Sequence, residues 1–242
     1  MKLVYTLFIY VVSIPFVFGQ FQPYKISKEQ LMERYYPKDS TAPAAFFLSK
    51  TCSLKFDYTE NKGFSYIAEY SFFIKIYTKE GLSWASYAIP FYVGYKEQQN
   101  DRIEITKANV YNLVNGRIDR EKVTGDGNLS NKINENWATK IVNFPNVRKG
   151  SIIELQYTLY SEDINSIEAF TFQSDIPVKS AKLQTKIPGF FEYRIIKSGI
   201  YNFTISEDFK EGFINFSKDV GDRGARITNS MVFLKLDNDL HP

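Results

Sequence analysis

The sequence predicts an all-β, mainly antiparallel β-sandwich with one short N-terminal helix, on three observations. Apolar and polar residues alternate with a period of two over long stretches, as strands buried on one face require. Gly, Pro, Asn and Asp interrupt those stretches at short spacing, with no helical crossovers between them. Aromatic residues make up 17% of the 242 positions, with 17 Tyr and 21 Phe, and such rings pack well on a pleated face.

Taken in order, residues 1–19 have the pattern of a secretory signal: Lys2 gives a positive start and the run to Phe18 is almost wholly apolar. A bilayer-spanning helix wants about 20 apolar residues, and Pro15 interrupts this run. A cleaved leader is therefore expected, with export to the periplasm or cell envelope and no stable membrane span afterwards. No cysteine follows the run to take a lipid. The mature domain is then residues 20–242, long enough for a substantial core.

Ser27 followed by Gln30 matches a capping box and predicts a helix from Ser27 to about Tyr36, stopped by Pro37. Residues 37–43 read as a bend before a strand over 51–58. Phe64, Tyr66, Ala68, Tyr70, Phe72, Ile74 and Ile76 share one face while Ser65, Glu69, Ser71 and Lys75 share the other, predicting a long strand buried on one side. Gly81 then supplies a turn of positive φ.

Residues 102–113 alternate as well, but their apolar phase changes between Ile105 and Ala108, which predicts a bulge near Thr106. Asn115-Gly116 predicts a tight hairpin into residues 117–123, because both central positions of such a turn need positive φ. Further strands are expected over 152–160, 170–176, 178–187, 191–197, 201–206, 213–217 and 227–236.

Thirty Lys and Arg against 27 Asp and Glu leave a formal charge of +3. Without a basic block, nucleic acid is not an expected partner. Cys52 is the single cysteine, so the exported chain stands without an internal disulfide. The one histidine, His241, is penultimate. A cysteine nucleophile needs a base in hydrogen-bond reach, and a Ser-His-Asp triad needs a placed histidine, so neither is expected.

Zinc would need several His or Cys ligands. Residues 124–130 resemble the start of a calcium loop, yet Asn131 and Trp137 stand where that loop needs Gly and an acidic residue. No metal or cofactor is expected, and a polar hairpin tip is the better reading there. Glu162-Asp163, Glu207-Asp208, Asp219 and Asp222 offer carboxylates for glycoside chemistry, although acidic residues in turns are ordinary solvated surface. Trp84, Tyr92, Tyr95 and Trp137 lie outside the clean alternations and are candidate binding aromatics.

In NFPNVRKGSIIELQYTL, residues 143–159, Pro145-Asn146 opens a turn and Gly150 permits its exit. Ile153, Leu155, Tyr157 and Leu159 then face inward, which puts Glu154, Gln156 and Thr158 outside. Glu154 is expected to be a surface charge available to a cross-strand Lys or Arg.

Four motifs follow one another: Asp39-Ser40-Thr41-Ala42-Pro43-Ala44; Ile74-Lys75-Ile76-Tyr77-Thr78-Lys79-Glu80-Gly81; Phe144-Pro145-Asn146-Val147-Arg148-Lys149-Gly150-Ser151-Ile152-Ile153-Glu154; and Phe172-Gln173-Ser174-Asp175-Ile176-Pro177-Val178. Together they closely resemble the bacterial domain of unknown function thirty-eight fifty-seven, over roughly residues 26–188. The resemblance implies a β-sandwich accessory domain of Gram-negative exported proteins, of the kind that precedes a transglutaminase-like core. It brings no catalytic residues, and it makes Pro145, Asn146, Gly150, Glu154, Gln173 and Pro177 structural motif positions.

Such a core would supply a Cys-His-Asp site, and the residues through Pro242 hold none. The chain is therefore expected to be a truncated or split relative, or an accessory domain that works alone. The expected role is non-catalytic: binding a protein or cell-envelope partner, including a transglutaminase-like domain in trans. An exposed sheet edge is one physical route to such binding. The alternative is a carbohydrate-binding or glycan-active protein that uses exposed aromatics and carboxylates.

Overall fold

The computed structural model describes residues 23–34, 43–59, 61–124, 128–196, 198, 204–215 and 224–240. The expected leader, His241, Asp219, Asp222 and most of the first motif lie outside them. The capping box forms: Gln30 N donates to Ser27 Oγ at 3.2 Å and Ser27 N to Gln30 Oε1 at 3.0 Å. Helix α1 (Lys28–Met32) is nevertheless only five residues long, shorter than expected. So short a helix is held by what it buries rather than by its own propensity, and Leu31 is its buried residue.

Eleven strands are described: β1 (Ala45–Thr59), β2 (Gly63–Ile76), β3 (Ser86–Tyr92), β4 (Arg102–Val114), β5 (Arg117–Lys122), β6 (Asn128–Lys132), β7 (Trp137–Asn143), β8 (Ile152–Ser161), β9 (Val178–Pro188), β10 (Thr204–Asn215) and β11 (Gly224–Leu240). Eight form one open sheet, ordered β10-β11-β9-β1-β2-β8-β4-β5, and three form another, ordered β3-β7-β6. Neighbours are antiparallel except β1 and β9, which run parallel.

The core lies between the two sheets. Phe47, Phe72, Ile74, Ile153 and Leu155 of the large sheet meet Ile89 and Val142 of the small one, with Tyr87 and Phe91 packed against them. The mainly antiparallel, two-layered architecture matches the expectation. So do two local features. The β4–β8 ladder passes from Ile105↔Tyr157 to Lys107↔Gln156, skipping Thr106. Asn115 and Gly116 hold φ of 48° and 74° between β4 and β5.

Other expectations need correction. Strand β2 is buried on both faces toward its end, where Phe73 and Lys75 are 3% and 0% exposed. The N-terminal segment covers the outer face there, making a second cluster of Leu31, Phe46, Leu48, Phe73, Tyr77 and Ile152 with Tyr24 and Ile26 against it. Lys75 Nζ donates to Gly150 O at 2.7 Å and Leu31 O at 3.1 Å, and burial lowers its pKa to about 8. A helix-borne cover cannot be read from the strand it covers.

Gly81 does not take a positive φ; it lies in the 3-10 turn Glu80–Ala85, where a Cβ would collide with the Ala44 carbonyl. Close backbone approach, not turn handedness, requires glycine there.

Residues 170–176 and, of 191–197, the described 191–196 are not strands. Phe170 and Phe172 pack on the main cluster, and Phe191 meets Phe56 and Phe64 at ring distances of 5.2 and 5.0 Å. These rings serve as cover for the core outside any strand, whereas Ile195 and Ile196 are exposed. The strands expected over 201–206 and 213–217 fall, where described, on the single strand β10. Among the described residues no helix is long and apolar enough to cross a membrane.

Candidate functional site

Strand β3 ends at Tyr92, and the chain leaves for an excursion that closes when Asp101 N donates to Tyr92 O at 3.0 Å. That excursion lays Tyr95 against Tyr92, with ring centroids 4.7 Å apart and planes at 60°. Tyr92 also faces Trp137 across the β3–β7 ladder, the rings standing at 5.3 Å and 86°. Val93 N donates to Asn136 O at 2.7 Å, which ties the excursion to the start of β7. With Tyr66, Phe91 and the segment 163–168, these rings enclose an open cleft of about 700 Å³.

Three of the four candidate aromatics thus share one site. Trp84 does not: its ring packs edge-on to Phe47 at 5.3 Å and near Tyr87 at 6.1 Å, as part of the core's margin. Trp137 is the exposed member, at 43%.

Three carboxylates line the same cleft: Asp101, Asp163 and Glu168. Asp101 is only 9% exposed, and its Oδ1 is buried without a hydrogen-bond partner among the described residues. Desolvation raises its pKa above the usual carboxylate range; hydrogen bonds from Ser161 and Tyr95 oppose that, and the charge of Asp163 adds to it. Desolvation and then Asp101 raise Glu168 too, although much of that residue stays in water, which screens the effect. Burial, countered by a Ser161 hydrogen bond, pushes Tyr95 up to about 12.

The Glu168 backbone hydrogen-bonds Tyr66, and Asp163 Oδ1 accepts from Asn165 N at 3.1 Å. No Lys or Arg is among the lining residues, and no group of described His, Cys, Asp or Glu is placed to hold a metal. Asp101 and Glu168 were not legible as site residues, because nothing in their local pattern distinguishes them from turn acids. The remaining carboxylates lie elsewhere: Glu162 pairs with Lys62 at 3.3 Å, and Glu207 and Asp208 sit on edge strand β10.

The 143–159 motif builds a joint, and its residues Asn146, Val147 and Arg148 line a second, ring-free pocket of about 420 Å³ with Asn112, Asp119 and Glu121. Asn146, with φ of 51°, donates from Nδ2 to Glu121 on β5 at 3.0 and 2.9 Å. Arg148 Nε donates to Asn112 Oδ1 at 3.2 Å, and Ser151 Oγ donates to the same oxygen at 2.6 Å. Pro145 precedes Asn146 in the turn, and Gly150 N donates to Ile76 O at 2.8 Å. Pro177 O accepts from Phe47 N at 2.9 Å, beside the start of the parallel β1–β9 pairing; Gln173 is half-buried on the approach.

Glu154 corrects the expectation of a surface charge. It is 5% exposed. Its Oε2 accepts from Asn109 Nδ2 at 2.8 Å and Tyr111 Oη at 2.6 Å, and its Oε1 from Gln156 Nε2 at 3.0 Å. Its ladder neighbours are Phe73 and Asn109, not Lys or Arg. The carboxylate lies on the sheet face that the N-terminal segment covers, so neutral donors replace water.

Cys52 sits on β1, 1% exposed, and burial pushes its thiol up to about 12. Lys50, two residues earlier, lines a smaller pocket of about 170 Å³. Its Nζ lies 5.3, 5.8 and 5.7 Å from the Phe47, Phe72 and Phe170 ring centres, and desolvation lowers it to about 8. Its apolar setting was not legible in the sequence.

The family model of a domain of unknown function with a solved structure, DUF3857, matches residues 64–205. That span starts and ends later than the motifs suggested. No curated protein matches the chain. A crystal structure of a "putative protease" from Parabacteroides distasonis ATCC 8503 superposes with a TM-score of 0.50 at 11% identity. The superposition covers 81% of this chain and 35% of that one, so the chain spans about a third of the length of the protein it matches. At that identity the likeness concerns the fold alone.

Proposed function

The chain belongs to the DUF3857 family, and from that premise we propose that it is an exported, non-catalytic binding domain of the cell envelope, acting on a protein partner. A transglutaminase-like domain supplied by another chain is the partner class to test first. The observation that carries the reading is the cleft beside Tyr92 and Trp137: an open cavity with exposed aromatic surface and three carboxylates, with no Lys or Arg among its lining residues. Cavities of a few hundred Å³ with a few convergent polar groups are the usual form of a ligand site.

The non-catalytic part rests on Cys52, whose buried, high-pKa thiol is a poor nucleophile. The edges of the large sheet are less suited to partner binding than the cleft. Edge strand β5 carries Arg117, Asp119, Arg120, Glu121 and Lys122, and β10 carries Glu207, Asp208, Lys210 and Glu211. Charges of this density oppose strand addition.

Sedimentation of the purified chain with transglutaminase-like proteins exported by the same host tests the reading. A stoichiometric complex with one of them is expected, together with no peptidase, amidase or glycosidase turnover by the chain alone. Turnover abolished by a substitution in the cleft would replace this reading with an enzymatic one. A glycan-binding role is the second reading, favoured by the gathering of Tyr92, Tyr95 and Trp137 beside carboxylates; saturable binding of neutral oligosaccharides would promote it.

A further inference from the structure

The cleft's chemistry narrows what it can receive. Asp101 is a lining residue only 9% exposed, and although Ser161 and Tyr95 hydrogen-bond its carboxyl, its Oδ1 is buried with no hydrogen-bond partner among the described residues. Such a charge is poorly compensated by the protein, so a cation placed in the cleft stabilises it at short range through its field. Asp163 and Glu168 add negative charge to the same lining, and no Lys or Arg offsets it there.

The rings point the same way. Tyr92 stands at 60° to Tyr95 and 86° to Trp137, so they form walls of a corner rather than one flat platform. Flat stacking of a sugar uses an open coplanar face, whereas a cation gains from ring faces set around it. A metal ion fits less well, since the described carboxylates are not grouped as ligands. The volume of about 700 Å³ exceeds one ammonium group and suits a side chain with its flanking backbone.

We propose that the cleft receives the basic side chain, Lys or Arg, of a partner polypeptide, its cationic head set among Tyr92, Tyr95 and Trp137 and facing the carboxylates of Asp101, Asp163 and Glu168. This inference rests on the binding-domain reading and specifies its partner's chemistry. Acetylation of the lysine removes both the charge and most of the donors, so the neutral analogue is the natural control.

Calorimetric titration of the full chain with acetyl-Gly-Lys-Gly-amide, its Arg analogue and its Nε-acetyl-lysine analogue tests it. The Lys and Arg peptides are expected to saturate one site, with the acetylated peptide weaker by about tenfold or more. Asp101→Asn and Trp137→Ala should each weaken the Lys peptide by about tenfold, while Trp84→Phe, in the core margin, should not. Circular dichroism and thermal melts check that each variant folds, and Glu168→Gln on the exposed rim serves if Asp101→Asn does not.

Equal affinity for the acetylated peptide, saturation by a neutral oligosaccharide through the same residues, or no binding at millimolar peptide would each overturn the inference. If a partner protein binds wild type and Asp101→Asn alike while the peptides fail, the inference falls and the binding-domain reading stands. If the Lys peptides bind through Asp101 and Trp137 but no transglutaminase-like protein forms a complex, the inference stands and that partner class is discarded.

Discussion

Glu154 accepts hydrogen bonds from Asn109, Tyr111 and Gln156 while almost fully buried. Truncating it strands two or three donors away from water, so Glu154→Ala should lower stability by about 2–3 kcal/mol, and Glu154→Gln, which keeps an acceptor, by roughly half of that. Urea midpoints measure both; an alanine variant within about 0.5 kcal/mol of wild type would mean water replaces the carboxylate freely. Cys52 gives a second residue-scale test. A thiol pushed up to about 12 by burial should resist iodoacetamide in the native protein at pH 8 and react once denaturant opens the sheet. Fast native labelling would show that β1 opens locally. Glu154 also marks where pattern reading stopped: alternation placed it correctly on the outer face, but nothing in its own strand reveals that Tyr24, Ile26 and Leu31, more than a hundred residues earlier, cover that face.

At the scale of elements, the features that were legible are those set by local sterics. The Thr106 bulge shows as a phase slip because a pleated strand allows no other way to keep Ile103 and Val110 on one side. The hairpin shows because Asn115-Gly116 tolerates the two positive φ values. Gly116→Val should therefore cost about 1–2 kcal/mol by chemical denaturation, since a β-branched residue at φ near 74° is strained; a neutral result would imply that the turn changes type. The small sheet was not legible. Strand β3 carries Pro90, which reads as a breaker, yet β3 is an edge strand where a missing donor is tolerated. Strand β6 is short and mostly polar and β7 only seven residues long, and only pairing with β3 makes them a layer. Because that layer carries Tyr92 and Trp137, its loss from the sequence reading also hid the cleft, although both rings had been singled out.

At the scale of the whole molecule, the cleft sits where the small sheet, the excursion before β4 and the segment after β8 converge, so its electrostatics act on the fold as a unit. Asp101 has Asp163, Tyr66 and Tyr95 around it, and Glu168 feels Asp101 in turn. Both Asp101 and Glu168 have folded-state pKa values above their ordinary ones, so the folded protein binds more protons than the unfolded chain between those limits. Stability from these two groups must then fall as pH rises through that window and be recovered as pH drops back to the ordinary carboxylate range near about 4. Asp101→Asn removes the less exposed of the two groups. Thermal melts from pH 7 down to about 4 should show wild type gaining on the variant as pH falls, after subtraction of the acid loss common to both. A constant difference across that range would mean that Asp101 titrates as it does in the unfolded chain, and that the cleft holds its charge without strain. The expected trend instead describes a protein that keeps an unfavourable carboxylate in place at neutral pH, a cost that a bound cation would remove.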